Sequence, residues 1–148
     1  MKKLNNNYLK PSKEQINNLL ENYHARQYKD VEKLSISITL EFPEHPFAWK
    51  VLAVVLKLTG RLSESLVPSQ KSVLLEPKDS EAHNNLGIIL QELGRLNEAE
   101  ESFRKAITLK PDYAEAHSNL GAIFQELKKF NEAEESFRKA ITLKPDYA

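Results

Sequence analysis

The stretch NEAEESFRKAITLKPDYA occurs twice, letter for letter, at 97–114 and 131–148, so the chain repeats itself with a period of 34 residues. A fixed period of that length marks a stack of like supersecondary units, each too small to bury its own apolar face and each covered by its neighbour. Extended backward, 80–113 and 114–147 differ at only seven places, among them Ser80/Ala114, Asn84/Ser118, Ile88/Ala122 and Gly94/Lys128, which indicates a recent duplication. A further step gives 46–79, where Trp49 stands at the place of His83, Leu52 of Leu86, Gly60 of Gly94 and Pro77 of Pro111. One more step gives 12–45, with Pro43 in register with Pro77. The first half of that unit fits poorly, because Leu19 and Leu20 fall one and two places past the slot of Leu52. The expected organisation is a tail over 1–11, an atypical unit over 12–45, and three regular units over 46–79, 80–113 and 114–147, forming a single domain.

Each unit reads as two α-helices. Ala82, Leu86, Ile89, Leu90 and Leu93 recur at spacings of three and four, as do Leu96, Ala99, Phe103, Ala106 and Ile107, and each set makes one face of a helix. Gly94 lies between them, free to take the positive φ that closes a helix and turns the chain. Lys128 in its place predicts a strained or differently built turn. Asn97 with Glu100, and Asn131 with Glu134, have the spacing of a capping box, and Pro111 and Pro145 end the second helices. Pro68 falls inside the second helix of 46–79 and predicts a kink or a later start. Small residues on the apolar faces, Gly87, Ala99 and Ala106 with Gly121, Ala133 and Ala140, allow close approach, and Phe103 and Phe137 fill the space between hairpins. Glu100 and Arg104, four apart, read as a solvated outer pair.

Lys plus Arg equals Asp plus Glu at 21 each, so no net field draws the chain to nucleic acid or to an anionic membrane. There is no cysteine, which removes disulfides, thiolate metal sites and cysteine nucleophiles together. Met1-Lys2-Lys3-Leu4 runs into Asn5, Asn6 and Asn7 where a secretory signal needs an apolar core, and no run approaches the roughly 20 apolar residues of a membrane span. A cytoplasmic location is expected.

A period of 34 with Leu86-Gly87, Ala99, Phe103, Ala106 and Pro111 in these slots resembles the tetratricopeptide repeat. His83 and His117 depart from the tryptophan the family favours, and Ser65, Ser69 and Lys128 depart from its Ala, aromatic and glycine. The resemblance implies an all-α fold, a right-handed α-solenoid of about four helix hairpins, whose concave side is lined by the first helix of each hairpin and binds a peptide or partner protein. AHNNLG at 82–87 and AHSNLG at 116–121 look most like the repeats of the O-linked N-acetylglucosamine transferase branch, in which the asparagine before Leu-Gly grips a peptide backbone. Carried over, those residues are Asn85 and Asn119, with Val51 departing from the pattern. EFPEHPFAWKVLAVVL at 41–56 is similar to the opening of microbial transferases that place such repeats before a catalytic domain.

On that resemblance the groove is lined by Lys50, Val54 and Lys57, by Asn84, Ile88, Gln91 and Glu92, and by Ser118, Ala122, Gln125 and Glu126, beside Asn85 and Asn119. The plain alternative is that these are solvent-facing helix residues, or, for the asparagines, buried amides spanning neighbouring hairpins. His83 and His117 repeat at the period with no carboxylate or cysteine to complete a ligand set, so they read as structural and no metal is expected. Glu100-Glu101 and Glu134-Glu135 diverge by roughly 100° around a helix and read as surface charge. With no phosphate loop, nucleophile elbow or zinc-helix motif, no catalytic residue and no cofactor are expected. The last helix lacks the polar outer face of a terminal repeat, and Pro145-Asp146-Tyr147-Ala148 reads as the start of another unit. The chain is therefore expected either to be a fragment or to self-associate as a homo-oligomer through Phe130, Phe137 and Ile141. Three functions fit: a protein-binding scaffold, the recognition arm of a larger transferase, or a structural spacer.

Overall fold

The computed structural model describes residues 10–144, so the ending assigned to Pro145 and most of the tail lie outside the described residues. Eight helices are found among the described residues, paired as four hairpins: α1 (Lys13–His24) with α2 (Tyr28–Glu41), α3 (Pro46–Leu58) with α4 (Leu62–Leu75), α5 (Ser80–Glu92) with α6 (Leu96–Leu109), and α7 (Ala114–Glu126) with α8 (Phe130–Leu143). The architecture is all-α, as the two-helix period predicts. The chain divides into two compact units, one ending at Pro77 and one beginning at Lys78. In the first, α2 packs on α1 and α3, and α3 on α4; in the second, α5 packs on α6, α6 on α7, α7 on α8, and α5 touches α7.

The turns within hairpins share one construction. Gly60 and Gly94 take φ of 80° and 77°, and the amides of Gly94 and Arg95 donate back to the carbonyls of Gln91 and Leu90 at 2.9 and 2.8 Å, a Schellman closure. Lys128 takes the same left-handed conformation at φ 59°, with Lys129 N–H on the Phe124 carbonyl at 2.7 Å. The turn is thus built as in the other hairpins and strained at a residue with a Cβ. Arg26, at φ 57°, repeats the case in the first hairpin. Left-handed backbone costs an L-residue about 1–2 kcal/mol, and glycine gives back about 0.5–1 kcal/mol in chain entropy. Lys128→Gly is therefore expected to stabilise the chain by about 0.5–1 kcal/mol. A urea unfolding midpoint that does not rise would count against this reading of the turn.

The capping boxes expected at Asn97 and Asn131 are not formed. The closure feeds straight into the next helix, so Arg95 and Lys129 are the N-caps and neither makes a side-chain cap. Asn97 and Asn131 consequently lie inside the first turn, exposed. Arg95 pairs with Glu98 at 2.6 Å instead, while Glu100 receives Arg104 at 2.9 Å and Lys129 at 3.5 Å. Capping by side chains occurs at two of the first helices: Ser12 and Gln15 form a reciprocal capping box on α1, and Asp79 accepts from the Ala82 amide at 3.1 Å on α5. Helix α4 begins at Leu62 and runs through Pro68, so the later start is excluded.

The packing between the helices of a hairpin is a matched pair of sizes. A Cβ added to Gly87 would lie 2.6 Å from Cε1 of the fully buried Phe103, and one added to Gly121 would lie 2.8 Å from the Phe137 ring. Phe103 therefore lies against its own hairpin's first helix. The corresponding places of the two earlier hairpins hold Ala53 with Ser69 and Leu19 with Ser35, all buried. Leu19 thus stands in the glycine slot and Ser35 in the phenylalanine slot, both buried.

Candidate functional site

The first helices α5 and α7 bring a set of amides and carboxylates together in the second unit. Asn84, expected to face the groove openly, is 1% exposed. Its Nδ2 donates to Glu115 Oε1 at 3.3 Å, and its Oδ1 accepts from Asn119 Nδ2 at 3.1 Å, so it bridges neighbouring hairpins. The reason is position: one hairpin on, its counterpart is Ser118, and the longer amide reaches across the gap between α5 and α7. Burial of an amide is tolerable only when such bonds are made. Tyr113 completes the cluster. Burial pushes its hydroxyl up to about 12, with Glu115, Glu81 and Asp79 adding to the rise and a hydrogen bond to Asn84 opposing it.

Around this bridge the groups differ in how far they are committed. Asn119 is half-buried and gives one N–H to Asn84; its second N–H and its Oδ1 have no partner among the described residues. Asn85 is half-buried with neither amide group bonded there. Gln91 donates to Glu126 at 2.6 Å, one hairpin on. Ile88, Ser118 and Ala122 are half-buried, and Glu92 and Gln125 lie in or near solvent. An amide offers both a donor and an acceptor and can pair with a peptide unit whatever its side chain. Tyr113 and Glu115 were not singled out by the sequence reading, because both sit at the entrance of α7 and their role depends on Asn84.

In the first unit Lys50, Val54 and Lys57 lie half-buried along α3. Leu58 beside them is exposed, at the place of Glu92 and Glu126 in the later hairpins. Register alone singles it out. Among the described residues no three His, Asp or Glu side chains gather as a metal site. His117 Nε2 lies 2.9 Å from the Pro111 carbonyl, the bond that Trp49 Nε1–H makes to the Pro43 carbonyl at 2.8 Å. The histidine therefore does the work of a packing tryptophan. Phe130 and Ile141 are exposed on α8 and Phe137 is half-buried. No helix among the described residues is long and apolar enough to cross a membrane.

Comparison with known proteins agrees with this geometry. Residues 78–146 match the family described as Tetratricopeptide repeat. The search of curated proteins gives no match. Among solved structures, MamA aligns with a TM-score of 0.83 at 17% identity, over 89% of this chain and 77% of that one. YrrB, described as a TPR protein with an unusual peptide-binding site, aligns with a TM-score of 0.81 at 24% identity, over 90% and 69%. The pilF protein of Pseudomonas aeruginosa aligns with a TM-score of 0.79 at 23% identity, over 88% and 60%. Residues 78–146 are thus tetratricopeptide repeats, and the chain has the helix-hairpin fold of tetratricopeptide-repeat proteins.

Proposed function

We propose that the chain is a protein-interaction scaffold that holds an extended peptide segment against the first helices of its hairpins. The observation that carries this reading is the uncommitted amide capacity of Asn85 and Asn119, with Asn119 bonded to the buried Asn84 that also reaches Glu115. Groups positioned in advance bind at a smaller cost in ordering. Ile88 and Ala122 supply apolar floor between the amides, and Lys50, Val54, Lys57 and Leu58 supply the corresponding face of the first unit. Glu92, Ser118, Gln91, Gln125 and Glu126 make the remaining wall. The fold shared with YrrB, a protein with a peptide-binding site, supports the same reading. Selection from a library of random extended peptides is expected to enrich binders on the wild-type chain, and Asn85→Ala/Asn119→Ala to weaken them about tenfold or more, at roughly 1 kcal/mol per lost bond. Unchanged capture by the double variant would refute the assignment.

AHNNLG and AHSNLG support a second reading, in which this groove is the substrate-recognition arm of a larger transferase. A reading frame that continues past residue 148 into a catalytic domain would decide for it. The exposed Phe130 and Ile141, with Phe137 half-buried where its counterpart Phe103 is fully buried, support α8 as a face that takes a further helix, from another copy or another protein.

A further inference from the structure

A side-chain amide can be turned over, exchanging its oxygen for its NH2 group, with almost no change of shape, so the groups around it decide which end meets which partner. For Asn84 that choice is made. Its Nδ2 lies 3.3 Å from Glu115 Oε1, and an ionised carboxylate accepts hydrogen bonds and donates none. Asn84 also bonds to the Tyr113 hydroxyl, which can accept from the same NH2 group. The Oδ1 of Asn84 is thereby left for Asn119, whose Nδ2 donates to it at 3.1 Å. The polarity passes on one step. With its NH2 end held by Asn84, Asn119 keeps its Oδ1 open to accept, with one N–H beside it and no partner for either among the described residues. Glu115 and Asn119 stand one turn apart on α7, and Asn84 of α5 joins them. Asn85 has neither amide group bonded among the described residues and is under no such constraint.

We propose that Glu115 is a positioning residue for the groove: through Asn84 it fixes Asn119 with its oxygen open, so that Asn119 accepts a backbone N–H of the bound segment. The inference rests on the peptide-binding reading above and adds which way round one of its contacts is made. Glu115 touches no ligand in this arrangement. Its place in the first turn of α7 gives it a second role, since a carboxylate there favours the helix. Glu115→Gln separates the two roles. Glutamine fills the same space but offers a donor as well as an acceptor, and a hydroxyl such as that of Tyr113 does the same, so the order Glu115–Asn84–Asn119 loses its single direction.

The probe is a peptide enriched on the wild-type chain from the random library, with analogues in which one backbone amide at a time is replaced by an ester. Each ester removes a single N–H and leaves the side chains in place. On the wild-type chain one ester is expected to weaken binding about fivefold or more, the loss of one hydrogen bond. On Glu115→Gln the same ester is expected to cost about twofold or less, because an Asn119 that can turn over is no longer held with its oxygen against the ester oxygen. Each effect is a ratio between two peptides on one chain, so a general loss of stability or of charge cancels from it. If Glu115→Gln loses its helical circular dichroism, Asn84→Ser decides, serine being the residue at the same place of the next hairpin, and the same fall in the cost of the ester is expected. An ester that costs as much on the variant as on the wild type, or a wild type on which no ester costs anything, would overturn the proposal and leave the groove reading standing. A wild-type chain that enriches no peptide removes that reading, and this inference with it.

Discussion

Phe103→Ala is expected to cost about 3–5 kcal/mol of stability, and Phe137→Ala, the same change at the same place of the next hairpin, clearly less. The two rings share sequence surroundings over 18 identical residues, so local propensity cancels from the comparison. What differs is cover. Phe103 is fully buried between Gly87 beneath it and α7 packed against its helix, whereas Phe137 is half-buried. Truncating the first leaves a cavity that the surrounding helices cannot collapse; truncating the second removes side chain that water already touches. Urea unfolding of both variants measures the difference. Equal losses would mean that the packing of α7 on α6 adds nothing to the burial of the ring.

Gly87→Ala is expected to destabilise by about 1–3 kcal/mol although alanine is the better helix former by up to about 1 kcal/mol. The new Cβ would meet three atoms of one ring, Cε1, Cδ1 and Cζ of Phe103, at 2.6, 2.7 and 2.9 Å. A fully buried ring has nowhere to swing. Gly121→Ala meets the Phe137 ring at nearly the same distances, but that half-buried ring can move aside, so the helix preference offsets most of the cost there. Thermal unfolding of the two variants separates the explanations: if both lose stability alike, backbone strain and not the confined ring sets the cost.

These contrasts show what in the fold was legible in the sequence. The period gave the hairpins, and Gly60, Gly94 and the substituted Lys128 marked the left-handed turns, because a repeat makes every departure visible against its own copies. The helix starts were less legible. Asn97 and Glu100 have the spacing of a capping box, but a Schellman closure at Gly94 makes Arg95 the N-cap, two residues earlier, and spacing carries no information about which residue enters the helix first. Leu19 stands one place past the slot of Leu52, which is the slot of Gly87, and it is buried there.

The candidate site was half legible. Asn85 and Asn119 follow from the repeat and from the family it resembles. Asn84 was expected beside them as an open groove residue, and its burial was invisible because it depends on Glu115 and Asn119, more than 30 residues away, reaching it across two helices.

The size matching of Gly87 with Phe103 and Gly121 with Phe137, in places where the earlier hairpins carry Leu19 with Ser35 and Ala53 with Ser69, bears on how such a chain can be rearranged. A first helix carried from one hairpin into another would set Leu19 against Phe103, a clash, or Gly87 against Ser35, a void. Breaks in the loops between hairpins carry both members together and leave every match intact. Gene rearrangement or protein engineering that recombines these repeats is therefore tolerated at the boundaries between hairpins and penalised at the glycine turns within them. The heritable part is the hairpin, and the single helix is not an exchangeable piece.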